Sequence, residues 1–282
     1  MRNSGILFIA LSCFILIGCK KTANVVNNDF TLDSIKETAN YHLFNDTTKP
    51  YCDLQIKFVY PATCTDSSKL QALQTIFITK FFDNSFAGKT PKEAVETYKK
   101  QYIENYKLLE TEEDNNPSAY TIDSHIDESQ SSFSYYEILE NRIFFNQDGL
   151  LSFSTFSENF TGGAHGTHLC YGYTIDLNTG NLLAETDIFC ENYSSAIANA
   201  IVYKIMQANN LSDPKELENI GYTDIKDIAP NGNFLINDKG ITYIFNEYDI
   251  APYVMGQTEV FLPYNEINLY INKEGPLAKL AF

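Results

Sequence analysis

The residues best equipped for chemistry sit in one short run, Thr161-Gly162-Gly163-Ala164-His165-Gly166-Thr167-His168. Two imidazoles three positions apart offer a general base or the beginning of a metal site. Three glycines in five residues allow backbone angles and close approaches that a Cβ would forbid. On a continuous strand an odd spacing sends His165 and His168 to opposite faces, so joint coordination of an ion requires the glycine loop to curl. A third ligand would also be needed, and neither Asp176 nor Glu158 is singled out for it. Glycines around a histidine fit the fixing of backbone geometry, so no metal and no cofactor are expected, and Gly162, Gly163, His165 and Gly166 stand as candidate binding residues.

Other chemistries find less support. No Gly-x-Ser-x-Gly elbow occurs, which removes the usual serine-hydrolase arrangement. The glycine run is not Gly-x-Gly-x-x-Gly and lies among strand-like segments rather than opening a helix, so a phosphate cradle is not expected. Carboxylate pairs for glycoside cleavage have 36 acids to draw on, and nothing in the sequence selects two of them. The acids outnumber 20 Lys and Arg, giving a formal charge of -16, which excludes a phosphate-backbone partner and favours a cationic one. The stretch Glu247-Tyr248-Asp249-Ile250-Ala251-Pro252-Tyr253 supplies a candidate contact surface. Tyrosines give rigid amphipathic area and proline stiffens it, so Tyr248 and Tyr253 join the binding candidates, although such residues also cover sheet ends.

The N-terminus says where this chemistry would operate. Arg2, the apolar run Ile6 to Ile17 and Leu16-Ile17-Gly18-Cys19 form a bacterial lipoprotein signal whose Cys19 receives lipid. Cleavage removes Arg2 and no acid, leaving 19 basic against 36 acidic residues, a formal charge of -17. The expected location is the cell envelope, anchored to a membrane and facing away from the cytoplasm. In that oxidising compartment Cys52, Cys64, Cys170 and Cys190 read as disulfides, and the local pairings are Cys52 with Cys64 and Cys170 with Cys190. No Cys-x-x-Cys supports zinc instead.

The elements that must position these residues follow from periodicity. Residues 20 to about 31 read as a polar tether. Alternation over Cys52–Tyr60 predicts a strand ended by Pro61, and Leu70, Leu73, Ile76, Phe77 and Phe81 predict a helix over 66–83. Thr90-Pro91-Lys92-Glu93 is a capping box opening a helix to about Glu112. Strand-like runs cover 120–126, 133–145 and 150–160, with Asp148-Gly149 as a hairpin turn and a second turn at Asn178-Thr179-Gly180. Helix returns over 194–207, Asp213-Pro214-Lys215-Glu216 opens a short helix closed by Gly221, and strands follow over 234–236, 241–245 and 260–264. The fold class expected is α+β, an antiparallel meander with helices on one face and two small subdomains. Its divisions are a signal peptide at 1–18, a lipidated tether and lead-in at 19–50, a strand-helix domain at 51–160 and a C-terminal domain at 161–282.

The glycine loop, Tyr173 to Asp176 with Thr179-Gly180, Asp187-Ile188-Phe189, and the tail residues Phe234, Asp238, Gly240, Tyr248, Ile250, Ala251, Pro252, Tyr253, Gly256 and Pro263-Tyr264 together resemble the extracytoplasmic domain of RsiV-type anti-sigma factors and PdaC-type peptidoglycan deacetylases. The resemblance spans roughly residues 50 to 270. Eighteen residues precede the lipid site and no two histidines stand four apart, so neither a sigma-factor-holding segment nor a deacetylase domain is expected. What the resemblance implies is the shared sensing or binding module, which in RsiV-type relatives binds lysozyme. The function expected is therefore an envelope protein without catalysis that binds a basic, lysozyme-like protein or a cell-wall glycan. The alternative is a peptidoglycan- or glycan-active enzyme using His165.

Overall fold

The computed structural model describes residues 28–113 and 133–282. The signal segment, Cys19, most of the tether and the strand expected over 120–126 lie outside these residues. The described chain is α+β. Strand β1 (Phe30–His42) and β2 (Tyr51–Cys64) lead into helices α1 (Ser67–Phe81) and α2 (Pro91–Glu113). Strands β3 (Tyr135–Gln147), β4 (Leu150–Phe160), β5 (Thr167–Asp176) and β6 (Asn181–Leu182) follow. Then come α3 (Glu185–Ile188), α4 (Ser194–Ala208), α5 (Glu216–Asn219), β7 (Phe234–Ile236), β8 (Gly240–Phe245) and β9 (Thr258–Pro263).

Local chemistry accounts for the element ends. Asp66 caps α1 by accepting the N–H groups of Ser68 and Lys69. At α2 the expected capping box forms, with Glu93 Oε2 accepting from the Thr90 N–H at 2.9 Å and Thr90 Oγ1 from the Glu93 N–H at 3.3 Å. Asp148 and Gly149 both take positive φ, 56° and 80°, as the β3–β4 hairpin requires.

Six strands form one sheet in the order β1-β2-β3-β4-β5-β6, and β7-β8-β9 form a second. Every pairing is antiparallel except β2 with β3, which is parallel because α1 and α2 carry the chain back across the sheet. The expected meander is thus interrupted once. Its two larger cores lie on opposite faces. Leu151 and Phe153 of β4 pack with Leu54, Phe58, Leu73 and Phe77 under the helices, while the alternate residue Leu150 joins Ile197, Ile201, Phe234 and Tyr243 beneath the small sheet. A Cβ on Gly172 would lie 2.4 Å from the Phe234 carbonyl oxygen, so the two sheets touch backbone to side chain-free backbone there.

Several expectations are corrected. The lead-in contains β1, which pairs with β2 along its whole length; it is an edge strand with no fully buried residue, and Lys36, Glu37, Thr38 and Asn40 leave it little apolar alternation to read. Pro61 does not end β2. It lies beyond Lys57, where pairing with β3 stops, so its missing N–H costs the ladder nothing on that side. Strands β4 and β5, on either side of residue 160, pair from Leu150–Asp176 to Asn159–Thr167.

Neither expected disulfide forms, and Cys52, Cys64, Cys170 and Cys190 are free thiols. Cys52 and Cys64 stand at opposite ends of the extended β2, about 40 Å apart at strand rise, far beyond the roughly 7 Å a disulfide spans. Cys170 and Cys190 are separated because β6 pairs with β5 through Ile175–Leu182 and Asp176–Asn181, after which the chain leaves for α3. Cys190 then donates its N–H to the Tyr270 carbonyl instead.

Candidate functional site

Two loops distant in sequence meet at one end of the large sheet. The β4–β5 loop turns through Gly162 and Gly163, whose φ values of 90° and 99° suit glycine. Gly166 serves differently, since a Cβ there would lie 2.7 Å from the Asn159 carbonyl oxygen. The loop after β8 is closed by its own backbone. Tyr248 donates its N–H to the Ala251 carbonyl, and Asp249 Oδ2 accepts from the Asn246 N–H at 2.7 Å. Tyr248 itself sits at φ 69°, an uncommon conformation for a tyrosine.

His165 joins the loops. Its ring stacks on Tyr253 with centroids 3.9 Å apart, and Nε2 lies 3.2 Å from the Tyr248 hydroxyl. Nδ1 lies 2.8 Å from the Gly166 carbonyl oxygen. A carbonyl can only accept, so in the neutral ring Nδ1 carries the proton and Nε2 accepts from Tyr248. His168 takes separate partners, with Nδ1 3.0 Å from Glu247 Oε1 and Nε2 3.6 Å from Glu158 Oε1. Tyr136 donates its hydroxyl to the same Glu158 oxygen at 3.1 Å and stacks on Phe160.

The sequence candidates His165, Tyr248 and Tyr253 are therefore brought together. Gly162, Gly163 and Gly166 shape the loop, while Cys19 lies outside the described residues. Residues that sequence reasoning passed over are Asn233 and Asn246. Both are buried, and both bind the outer edge of β5 as a neighbouring strand would. Asn246 Oδ1 accepts from the Cys170 N–H at 2.8 Å, and Asn233 Oδ1 accepts from the Gly172 N–H at 2.7 Å. Both side-chain amides donate to the Cys170 carbonyl. Glu247 extends the series by accepting from the His168 N–H at 3.4 Å. An asparagine bordering each end of the apolar hairpin 234–245 is the signal that could have found them.

The electrostatics favour the neutral phenol at Tyr253 and Tyr136. Partial burial and then the charges of Glu247, Tyr248 and Glu158 raise the Tyr253 hydroxyl above its ordinary value. Burial and the Glu158 hydrogen bond do the same for Tyr136. Glu158 and Glu247 face opposite edges of one imidazole, so the place a substrate or water would take between them is filled by His168. Cavities of about 290 to 650 Å³ elsewhere on the molecule are lined by other residues. Among the described residues no group of three His, Cys, Asp or Glu side chains could hold a metal ion. The surface beside the stack is apolar and open, with Tyr248 63% and Val254 87% exposed. Such an arrangement is an open surface and not an enclosed cavity.

Comparison with known proteins gives consistent relatives. The model of DUF3298, a protein of unknown function, matches residues 186–265. That span contributes Glu247, Tyr248 and Tyr253, while His165, His168 and Glu158 precede it. The crystal structure of a DUF3298 member from Bacteroides fragilis superposes with a TM-score of 0.83 at 30% identity, covering 90% of this chain and 98% of its own. A DUF3298 protein from Pseudomonas aeruginosa shares the fold, with a TM-score of 0.60 at 16% identity over 87% of this chain and 96% of its own. No curated protein matches.

Proposed function

The chain belongs to the DUF3298 family, whose function is unknown, and from that premise we propose that it is a lipid-anchored binding or sensing protein of the bacterial cell envelope. Its ligand face is the surface of Tyr248, Tyr253, His165 and Val254. The observation that carries this reading is the exposed Tyr248 beside the His165–Tyr253 stack, a rigid aromatic surface of the kind that anchors protein partners. The acidic chain and the resemblance to RsiV-type domains support a basic, lysozyme-like partner. The glycan-active enzyme using His165 is less well supported, because both nitrogens of that ring have partners within the protein.

Anchoring rests on Cys19 and the apolar signal segment before it. Cys19→Ala should move the protein from the membrane fraction to the soluble one. The binding reading is tested by titrating the protein with lysozyme at low and physiological salt, with and without Tyr253→Ala. The expected result is binding that weakens with salt yet persists, and a loss of about thirtyfold on removing the ring. Binding that vanishes at physiological salt, or that ignores Tyr253→Ala, would remove the reading. Turnover of peptidoglycan that depends on His165 would favour the enzyme instead.

A further inference from the structure

The described chain begins at a fixed point on the large sheet. Asn28 donates its side-chain amide to Asn146 Oδ1 at 2.7 Å and to the Leu150 carbonyl at 2.8 Å, and its Oδ1 accepts from the Gly149 N–H at 3.0 Å. It is thereby tied to the β3–β4 turn. The β5–β6 turn lies at the same end, since the Leu177 N–H donates to the Gly149 carbonyl at 2.7 Å. Thr65 at the end of β2 also belongs there, donating to Asp29 Oδ1 at 3.0 Å.

The ligand face is at the other end. Strand β4 runs from Leu150 at this turn to Phe160, which pairs with Tyr136 and leads directly into the loop of His165. Ten residue steps at strand rise separate the two ends by about 33 Å. The stretch from Cys19 to Asn28 is nine residues and reaches at most about 30–32 Å whatever its conformation. To set the His165 end against a bilayer, Asn28 would have to stand about 33 Å above it, at or past full stretch.

We propose that the end of the sheet carrying Asn28, Gly149 and Thr179 faces the bilayer, so that the His165–Tyr253 surface is displayed away from it toward a partner arriving from outside. This rests on the lipid anchor at Cys19 put forward above. The orientation is a consequence of where the sheet receives the chain, not of any affinity of that end for lipid.

The test uses the full, lipidated chain in vesicles of phosphatidylethanolamine and phosphatidylglycerol that carry an energy-transfer acceptor on their headgroups. A bio-orthogonal fluorophore is placed at Thr179 or at Val254, both exposed, which avoids the native thiols. Transfer from position 179 should exceed that from 254 severalfold. Inserting about two dozen Gly and Ser residues between Cys19 and Asn28 should bring the two values together, because the longer chain no longer restricts the height of Asn28. Equal or reversed transfer in vesicle-bound wild-type protein overturns the orientation while leaving the anchor intact. Protein that fails to float with the vesicles and carries an unmodified Cys19 by mass spectrometry overturns the anchor, and the orientation with it.

Discussion

The imidazole of His165 lies on the phenol ring of Tyr253, with ring centroids 3.9 Å apart and planes 23° from parallel. An aromatic pair of this kind contributes about 0.5–1.5 kcal/mol beyond area burial. His165→Ala is expected to keep the fold and lower the melting temperature by about 2–4 °C per kcal/mol lost. The double variant with Tyr253→Ala should lose less than the two singles added together. Strict additivity in a double-mutant cycle would mean that the rings do not support each other.

Two glycines with different surroundings should respond differently to alanine. At Gly163 φ is 99° and a Cβ meets nothing within 4 Å, so Gly163→Ala pays backbone strain alone, about 1–2 kcal/mol. At Gly172 the Phe234 carbonyl stands 2.4 Å from the new carbon, and two sheets must separate to make room. Gly172→Ala should cost about 3 kcal/mol or more by urea denaturation. A smaller loss than at Gly163 would contradict the close approach.

Glu137 gives a pH dependence. Burial raises its carboxyl above the ordinary value, opposed by the hydrogen bond from the Tyr98 hydroxyl at 2.8 Å. The folded state therefore holds this proton more tightly than the unfolded chain does. The resulting stabilisation is complete below the unfolded value of about 4.3 and is lost as pH rises through the folded one. Glu137→Gln keeps an acceptor for Tyr98 but has nothing to titrate, so its urea midpoint should gain on the wild type as pH rises above the unfolded value. Midpoints that run parallel across this range would exclude the effect.

The thiols offer a chemical check. Cys52 is fully buried and burial pushes its thiol up to about 12, whereas Cys190 is exposed. In native protein a thiol reagent should modify Cys190 promptly and leave Cys52 until the chain unfolds. Reducing agent should leave the melting temperature unchanged. A drop on reduction would show that cysteines pair after all.

Features set by neighbouring residues were legible in the sequence, and those set by distant ones were not. Thr90 with Glu93 and Asp148 with Gly149 fix their own backbones, so the α2 start and the β3–β4 hairpin could be read directly. His165, Tyr248 and Tyr253 were each identifiable as candidates, yet their meeting depends on two sheets packing at Gly172 and Phe234. Strand β1 escaped because it is an edge strand that buries no side chain fully, so its sequence shows little apolar alternation. The parallel pairing of β2 with β3 is decided by a crossover of two helices, which no local pattern announces. The cysteine pairing failed for the same reason, since spacing along the chain says nothing of a strand kept straight between Cys52 and Cys64.

The amides of Asn233 and Asn246 have a consequence for behaviour in a crowded compartment. A strand margin with free N–H and carbonyl groups invites another chain to add to it, the route to edge-to-edge self-association. Along residues 168–172, where β6 gives no cover, the N–H groups of His168, Cys170 and Gly172 and the Cys170 carbonyl are already occupied by Asn233, Asn246 and Glu247. The margin is closed without a strand being spent on it. Replacing both asparagines by alanine would open a template for strand addition immediately beside the aromatic surface of His165, Tyr248 and Tyr253, and aggregates would grow from there.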